Sequence, residues 1–500
     1  MKIGLDRFDV KSLKICISMK TIIRTAEKMN LKYFRLVLVV ALFFVSCSED
    51  RITAFQNVDL IPMTDEKIIK NQTVLVKGKK IIKIGPANEI SIPKNSEIIE
   101  GSGAYLMPGL ADMHMHTRDD WLSPVWPVSP FDLYLANGVT TIRCFGPVGD
   151  SPDYLLAWRD SINRGKLSGP TVFTCGAILY GPVEDPQKFV CKQKESGFDF
   201  LKIYSFVSQD EFQKAMLTAK QLGFYTSGHI PFSVGLDGVL SEGMDEIAHI
   251  EELDFEFVDF DRGRKLGREE WFRYIIQNAA QQHEIMIGLD IREIDKRYGS
   301  SISAAVDKLR EANVPVCTTL VVGEGIVEKL HQTDAFLARP ENQYICKGYL
   351  DDFRNGKEKH LVIFKGYEDF ASFKYNLERL LLIKLKKAGI PLLLSTDAGT
   401  GEMGIVPGFS IHDELRILVE NGFTPYEAVA AGTVNASKVI QAMIGADDFG
   451  TIEVGKKADL LLVEKNPLDD VANIKKLRGV MAAGRWYPKA KLHEMIALKK

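Results

Sequence analysis

Apolar residues occur in short runs, bounded by turn residues, towards both ends of the chain, and this pattern is typical of β-strands rather than of long helices. Strand-like runs fall at 54–58, 73–76 and 81–85 near the start and, near the end, at 450–452, 458–463 and 480–487. Gly78 and Pro86 mark turns between the early runs. We therefore expect residues 48–107 and 448–490 to come together as one small β-sandwich domain.

The middle of the chain alternates strand-like with helix-like runs, which predicts βα units and a parallel sheet. Eight strands are predicted, at 110–116, 139–145, 171–178, 200–204, 225–230, 246–250, 315–322 and 392–397. Eight repeats, without a Gly-rich G-x-G-x-x-G turn, favour a closed, TIM-like (β/α)8 barrel over an open doubly wound sheet. The predicted fold class is α/β, with the barrel over residues 108–447.

Two long intervals interrupt the βα pattern, at 254–308 and at 323–369. The first contains another apolar run at 285–289, so the strand count is least secure there. The second is rich in Lys, Glu and aromatic residues. It is predicted to form helices that cap one mouth of the barrel.

The N-terminal segment has the composition of a secretion signal. Basic residues precede an apolar run at 36–45, which is too short to span a bilayer as a mature helix. The run ends in Phe44-Val45-Ser46-Cys47, which resembles a bacterial lipoprotein cleavage box, although Phe44 departs from the usual Leu. We expect residues 1–47 to be the signal region, with Cys47 as the lipidated residue. An uncleaved anchor or an ordinary signal are the alternatives, and Met19 and Met29 are alternative starts.

This leader predicts an exported protein: a periplasmic, outer-membrane or cell-surface lipoprotein of a bacterium, attached to the membrane only through its lipid. The chain of 500 residues is long enough for one large domain and a smaller one. Its 46% hydrophobic and 26% charged residues are ordinary for a folded protein. The net charge of −3 does not indicate the basic surface that is typical of nucleic-acid-binding proteins, and it favours a small-molecule partner. A monomer and a homo-oligomer are equally compatible with this composition.

His114 and His116 lie two residues apart in the first predicted barrel strand. Their side chains therefore lie on one face of the strand and can bind one metal ion together. The alternative is a pair of half-buried polar residues. Further candidates occupy the later strands, where the chemistry of such barrels is found at the C-terminal ends. They are Lys202 in the fourth strand, His229 and His249 at the ends of the fifth and sixth, and Asp397 at the end of the eighth.

The ordered set His-x-His, Lys, His, His, Asp between two β segments resembles the amidohydrolase superfamily, and most of all its imidazolonepropionase- and prolidase-like branch. Supporting phrases are Leu106-Met107-Pro108-Gly109-Leu110, Ala136-Asn137-Gly138-Val139-Thr140-Thr141, and the stretches at 408–415 and 450–459. The resemblance covers nearly all of the chain after the leader.

The resemblance implies a centre of two divalent metal ions, with Zn²⁺ the expected metal. His114, His116 and Asp397 would hold one ion and His229 and His249 the other. It further implies that Lys202 carries carbon dioxide as a carbamate that bridges both ions; a salt-bridged lysine is the alternative reading of Lys202 by itself. Imidazole nitrogens and carboxylate oxygens suit zinc and its first-row neighbours. Asp397 is also the expected general base and acid.

Three residues are weaker candidates for substrate contacts. Tyr204 should share a face with Lys202, Arg143 lies late in the second strand, and His412 follows the eighth strand. The alternatives are a core role for Tyr204 and an ion pair of Arg143 with a carboxylate such as Asp112. The remaining histidines are expected at the surface: His283, His331, His360 and His493.

The predicted function is hydrolysis of a C–N bond in an amide, cyclic amide or dipeptide, including Xaa-Pro dipeptides, by a hydroxide held between the two ions. The same centre would also suit an ester, a lactone or a phosphotriester. A non-catalytic metal-binding exported protein is the alternative from another class; loss of ligands would favour it, and none of the six is missing.

Overall fold

The structure is a computed structural model that describes residues 51–147, 153–264, 266–283, 288, 290–399, 404–446 and 448–498. The predicted signal region, Cys47 and most of the apolar run at 285–289 lie outside the described residues. Within the described ranges, no helix combines the length and the apolar character needed to cross a membrane.

Both ends of the chain contribute to one eight-stranded sheet. Its strands are β1 (Ile52–Leu60), β2 (Ile69–Lys77), β3 (Lys80–Pro86), β4 (Glu97–Glu100), β5 (Tyr105–Pro108), β14 (Leu460–Val463), β15 (Leu477–Ala482) and β16 (Arg485–Pro488). The order is β16-β15-β14-β5-β1-β2-β3, with β4 paired to β1. The two ends are joined where β5 runs antiparallel to β14, with Pro108 opposite Leu460. The predicted association of the two ends is therefore present.

The apolar run of β14 is explained by burial on both of its faces. Leu460 and Leu462 belong to the core of the β domain, whereas Leu461 and Val463 belong to the main core of the chain. Alternate residues of a strand point to opposite faces, so a strand between two cores is apolar at every position. The predicted strand at 450–452 is wrong: the chain turns there, with Gly450 at a φ of 84°.

Eight parallel strands follow in the middle of the chain. They are β6 (Leu110–Thr117), β7 (Val139–Pro147), β8 (Thr171–Thr174), β9 (Leu201–Ile203), β10 (Thr226–Gly228), β11 (Glu246–Ile247), β12 (Val316–Cys317) and β13 (Leu392–Leu393). The order β6-β7-β8 forms one sheet, and β9 to β13 form a second in chain order. Parallel bridges connect the sheets on both sides: Cys175 with Phe200 and Leu179 with Ile203, and Met115 with Ala398. The fold is α/β and TIM-like, with a separate β domain.

Helices lie between these strands and extend the second domain. Their bounds are α1 (Pro130–Ala136), α2 (Asp153–Asn163), α3 (Pro186–Glu195), α4 (Gln209–Gln221), α5 (Gly235–Ser241), α6 (Arg268–His283), α7 (Ile291–Ala312), α8 (Leu320–His331), α9 (Thr333–Leu337), α10 (Lys347–Arg354), α11 (Lys359–Ile363), α12 (Glu368–Lys387), α13 (Ser410–Glu420), α14 (Pro425–Ala431), α15 (Val434–Ile444) and α16 (Lys489–Met495). Short 3₁₀ helices occupy Ile250–Phe257, Pro340–Tyr344 and Val471–Lys475.

The seventh predicted strand ends earlier than the sequence pattern indicated. The run at 315–322 is largely apolar, with Thr318 and Thr319 in its middle, but α8 already begins at Leu320. The carboxylate of Glu414 accepts hydrogen bonds from the backbone N–H groups of Leu320 and Val321, at 3.1 and 2.7 Å. An anion at this position stabilises the first turn of a helix. A contact across 93 residues of sequence therefore decides where the strand stops.

The interval at 323–369 forms helices, as predicted: most of α8, then α9 to α11 with a 3₁₀ turn between them, and the start of α12. Tyr349, Lys357 and Phe364 from this segment line the same cavity as His229 and His249. We call residues 347–364 the cap segment.

Candidate active site

The two histidines of β6 each direct one ring nitrogen towards the other histidine. The Nε2 atoms of His114 and His116 lie 3.4 Å apart. Nδ1 of His114 donates to the carbonyl of Ala248 and Nδ1 of His116 to that of Gly146, each at 3.0 Å. A carbonyl can only accept, so the proton is on Nδ1 and the lone pair of each imidazole is on Nε2. This is the arrangement that prepares a histidine for a metal.

His229 and His249 follow β10 and β11 and are anchored in the same way. Nδ1 of His229 lies 2.8 Å from Oγ of Ser205 and 2.6 Å from Oε1 of Glu252. Nδ1 of His249 lies 3.1 Å from Oγ1 of Thr319. The ring of His249 is 4.2 Å from that of His114 and 5.0 Å from that of His229.

Asp397 completes this group from beyond β13. Its Oδ1 lies 3.1 Å from Nε2 of His116 and 3.4 Å from Nε2 of His114. Its backbone has a φ of 60°, and its N–H donates to the carbonyl of His114 at 2.8 Å. The left-handed conformation is unusual for a residue other than glycine and places the carboxylate back over β6.

Asp112 fixes the segment that carries Asp397. It is fully buried on β6 and accepts hydrogen bonds from the backbone N–H and the hydroxyl of Thr396, at 3.1 and 2.6 Å. Burial raises the pKa of this carboxyl to about 7. Sequence reasoning missed this role and placed Asp112 beside Arg143 instead. The apolar neighbours of Asp112 were the signal of a buried, bonded carboxyl.

Lys202 lies on β9 in the same group of residues. Its side chain is fully buried, and its Nζ has no hydrogen-bond partner among the described residues. The amine lies 4.7 Å from the ring centre of Phe145. Burial lowers the pKa of Lys202 to about 8, and burial also lowers that of His249 to about 3. A buried amine without a partner is costly, which marks the position as a functional candidate.

The structure thus brings together all six residues predicted as metal ligands. The ligand atoms of His114, His249 and Asp397 lie within 4.8 Å of one another. Nε2 of His116 lies next to the carboxylate of Asp397, and the ring of His229 lies next to that of His249. Lys202 and His114 both contact the ring of Phe145. Their identity as ligands remains a prediction.

Arg143, predicted as a weaker candidate for a substrate contact, lies away from the cavity and is bound within the protein. It is fully buried and makes two hydrogen bonds to the carboxylate of Glu246, at 2.8 and 2.5 Å, and one to the carbonyl of Met113 at 2.8 Å. Tyr225 and Ser227 also donate to Glu246. Arg143 is therefore part of a buried polar network around Glu246, and its partner is Glu246 rather than Asp112.

His412 also lies away from the cavity. It is buried on α13, and its Nε2 donates to the carbonyl of Asn137 at 3.1 Å. This bond joins α13 to the turn before β7, and His412 is not among the residues that line the cavity. Tyr204, by contrast, lines the cavity, with its ring 4.1 Å from that of His229 and 4.6 Å from that of Tyr180.

His360 is buried in the cap segment and lines the cavity, which corrects its predicted surface position. Its Nδ1 lies 2.8 Å from Nζ of Lys329 and 3.1 Å from Oε1 of Glu358. The charged residues near His360 in the sequence indicated a solvent-exposed position. In the structure, Lys329 and Glu358 are buried and contact each other and His360. His331 and His493 are exposed as expected.

The cavity above the histidines has a volume of about 480 Å³. Its floor is formed by His116, His229, His249 and Asp397, with Tyr204 beside them. Its walls combine aromatic and apolar side chains with charged ones. The first group is Ile178, Tyr180, Phe255, Val322, Ile326, Tyr349, Ile363 and Phe364, and the second includes Asp352, Lys357 and Lys359. This volume suits a small organic substrate.

The fold and the site together define a class: a TIM-like α/β protein with a histidine- and carboxylate-lined centre at the C-terminal ends of its parallel strands. Comparison with known proteins agrees. Residues 368–487 match the model of the amidohydrolase family. An imidazolonepropionase of Geobacillus sp. is 39% identical over 424 residues, covering 80% of this chain and 86% of that protein. The chain therefore belongs to the amidohydrolase family.

Other relatives extend the comparison. An ochratoxinase of Aspergillus niger is 34% identical over 475 residues, covering 86% of this chain and 85% of that protein. Two shorter matches span 14% of an adenine deaminase of Staphylothermus marinus and 29% of a dihydroorotase of Trichlorobacter lovleyi. The crystal structure of a Xaa-Pro dipeptidase superposes with a TM-score of 0.59 at 20% identity, covering 87% of this chain and 100% of that one. At this identity the likeness concerns the fold.

The family membership makes the chain a metal-dependent hydrolase that acts on C–N bonds. This agrees with the predicted activity and argues against a non-catalytic binding protein.

Proposed function

We propose that this protein hydrolyses the amide bond of a small dipeptide or acyl-amide substrate at a centre of two divalent ions, most simply Zn²⁺. The observation that supports this is the orientation of the histidines. His114 and His116 donate through Nδ1 to backbone carbonyls, which leaves Nε2 to bind a metal beside Asp397. Divalent ions bound there would lower the pKa of a water molecule and polarise the scissile carbonyl.

The chain's own residues then have defined tasks. The carboxylate of Asp397 accepts a proton from the attacking water and transfers it to the leaving nitrogen as the C–N bond breaks. The water oxygen remains on the carbonyl carbon, so the products are a carboxylic acid and an amine. Glu252 orients His229 through Nδ1. Burial raises the pKa of Glu252 to about 8, and a cation held by His229 would favour its ionised form.

We further infer that Lys202 carries a carbamate. The buried Nζ without a partner, together with a pKa lowered to about 8, supports a neutral amine near pH 8. A neutral amine adds carbon dioxide and releases one proton, giving a carboxylate with two oxygens. That group would supply the anionic ligand that the four neutral histidines and Asp397 leave open.

We also propose that the eight parallel strands close into a (β/α)8 barrel. Hydrogen bonds support closure on both sides of the two sheets. Leu179 N–H donates to the carbonyl of Lys202 at 2.9 Å, and Met113 N–H donates to that of Leu394 at 2.9 Å. The domain boundaries that we propose for the barrel and for the β domain are 108–447, and 48–107 with 448–490.

Metal analysis of the purified protein, expressed with zinc and bicarbonate, tests the proposed centre. We expect about two ions per chain, falling to about one or fewer in Lys202→Ala. The matched control is Lys166→Ala, since Lys166 is exposed in the loop before β8. Hydrolysis of a dipeptide panel, with Xaa-Pro members, should follow the metal content. A folded protein without bound metal, or full occupancy in Lys202→Ala, would contradict the proposal.

We propose in addition that the protein is exported as a lipoprotein modified at Cys47. The basic segment, the apolar run and the box around Cys47 support this. Radioactive palmitate fed to cells should label the wild-type chain and not Cys47→Ala. A Cys47→Ala chain that still carries the label would show that the lipoprotein assignment is wrong.

A further inference from the structure

We propose that Glu414 is a positioning residue for the metal centre. It fixes the backbone at the start of α8, and this backbone sets Thr319 so that its hydroxyl holds His249 in the orientation that binds a metal ion. The inference rests on the proposed metal centre and deepens it. Glu414 is fully buried, and Thr319 and His249 are 5% and 3% exposed. Solvent therefore does not compete for the hydrogen bonds that connect these residues.

Thr319 has a backbone conformation that is rare for its residue type. Its φ is 49° and its ψ is 25°, which lies in the left-handed region, and its side chain is branched at Cβ. Such residues are strained in this region, and they adopt it where the surrounding structure imposes it, often at functional sites. Thr318 and Thr319 are the two residues between β12 and α8. The strain therefore lies in a short connection between a strand and a helix.

The hydroxyl of Thr319 is used for His249 rather than for the helix. A threonine directly before a helix commonly accepts a hydrogen bond from a backbone N–H of the first turn. Thr319 makes no such bond to α8, whose first turn lies within the described residues. Its Oγ1 instead lies 3.1 Å from Nδ1 of His249. When Oγ1 accepts the Nδ1 proton, Nε2 of His249 is left for a metal.

Glu414, on α13, supplies the cap that Thr319 does not. Its two carboxyl oxygens accept hydrogen bonds from the N–H groups of Leu320 and Val321, at 3.1 and 2.7 Å. The N–H of Leu320 belongs to the same planar peptide unit as the carbonyl of Thr319, so its direction fixes the ψ of Thr319. Without these acceptors the peptide unit is free to rotate. The ordinary capping conformation then takes the hydroxyl away from His249.

The other three proposed histidine ligands have partners outside α8. Their Nδ1 atoms lie next to two backbone carbonyls and to the side chains of Ser205 and Glu252. A change at Glu414 should therefore weaken the ion that His249 binds and leave the other ion in place. This selectivity distinguishes a positioning role from a general loss of structure.

Titration of the metal-free protein with Zn²⁺ tests the inference. The variants are Glu414→Gln, which keeps the shape but has one acceptor oxygen, Thr319→Val and Thr319→Ser. The matched control is Arg416→Gln, since Arg416 also joins α13 to α8, donating to Glu324 at 3.2 Å. We expect Glu414→Gln and Thr319→Val to bind the second Zn²⁺ about 10- to 100-fold more weakly, with the first unchanged. Thr319→Ser, which keeps the hydroxyl, and Arg416→Gln should bind both ions as the wild type does.

Histidine-selective ¹⁵N NMR of the metal-free protein separates this inference from the proposed function. The signal of His249 is assigned by its absence in His249→Asn. A shift of this signal in Glu414→Gln and Thr319→Val, but not in Arg416→Gln, would support the positioning role even if the wild type binds no zinc, in which case the proposed metal centre fails alone. Wild-type zinc affinity in Glu414→Gln and Thr319→Val, or an equal loss in Arg416→Gln, would overturn the inference. So would a Glu414→Gln protein whose His249 signal is that of the wild type.

Discussion

At the scale of single residues, the site depends on partners that hold each functional side chain in one orientation. Each of the four histidines uses Nδ1 for a bond to the protein, and Asp112 binds the backbone beside Asp397. Partners of this kind keep the rotamer and the tautomer of a ligand fixed. The four histidines are therefore oriented before any metal is bound.

Asp397 combines an unusual backbone with the proposed acid–base role, and two substitutions separate these features. Asn tolerates the left-handed conformation at a φ of 60°, whereas Ala is strained there. We expect Asp397→Asn to keep the wild-type stability and lose activity by about 10²- to 10⁴-fold in kcat. Asp397→Ala should lose about 1 kcal/mol of stability as well. Urea unfolding and steady-state kinetics measure both, and an active Asp397→Asn protein would refute the assigned role.

The buried pair of Arg143 and Glu246 is a residue-scale contribution to stability. Both side chains are fully buried, so removing one leaves the other without its partner. We expect Glu246→Leu to cost about 3–5 kcal/mol in the free energy of unfolding. The double variant Arg143→Met/Glu246→Leu should be more stable than Glu246→Leu. Urea unfolding tests this, and a Glu246→Leu protein as stable as the wild type would contradict it.

At the scale of elements, the cap segment is joined to α8 through charged side chains as well as through apolar contacts. Lys329 on α8 reaches Glu358 ahead of α11, and His360 lies against both. Burial would raise the pKa of Glu358, but its bond to His360 and the charge of Lys329 outweigh this and lower it to about 2. The ionised form of Glu358 is therefore the form that the folded state stabilises.

This shift predicts a pH dependence of stability. Since the folded pKa of about 2 lies below the ordinary value of 4.5, the contribution of Glu358 is complete above about pH 5. It declines as the pH falls towards 2. We expect Glu358→Gln to be less stable than the wild type by on the order of 3 kcal/mol at pH 7 and by less at pH 4. Urea unfolding at both pH values checks this. A difference that grows on acidification would have the opposite sign and exclude this account.

At the scale of the whole molecule, the two ends of the chain are needed together. Strand β5 from the N-terminal part pairs with β14 from the C-terminal part, and both strands contribute to the core of the β domain and to the main core. Leu106 and Leu460 lie 354 positions apart in the sequence, yet they belong to the same small core. The core of the β domain is therefore complete only when both ends of the chain are present.

A single core residue of this domain should therefore matter for the whole chain. Leu106 is fully buried opposite Leu462, whereas Ile98 on β4 is 56% exposed. We expect Leu106→Ala to cost about 2–5 kcal/mol and Ile98→Ala to change stability by less than about 0.5 kcal/mol. Thermal unfolding with enzyme activity as a second probe would show whether the two domains unfold together. Equal effects of the two substitutions would contradict the shared core.

The sequence by itself determined the strands that carry the site, because their runs are apolar and their ends carry His, Lys or Asp. Two-residue alternation placed His114 and His116 on one face, and the order of ligands indicated the family. It also indicated that the two ends of the chain form one β domain and that residues 323–369 form helices. These features follow from local periodicity and residue chemistry, which the chain shows without its fold.

The tertiary structure decided what depends on contacts between distant residues. Arg143 and His412 have side chains that could contact a substrate. In the structure, however, Arg143 is hydrogen-bonded to Glu246, and His412 is hydrogen-bonded to the carbonyl of Asn137. His360 lies among charges in the sequence, yet Lys329 and Glu358 bring it to the cavity wall. A polar side chain that is already hydrogen-bonded within the protein is not available to a ligand. Which partner lies beside it depends on the tertiary structure, and sequence periodicity does not show this.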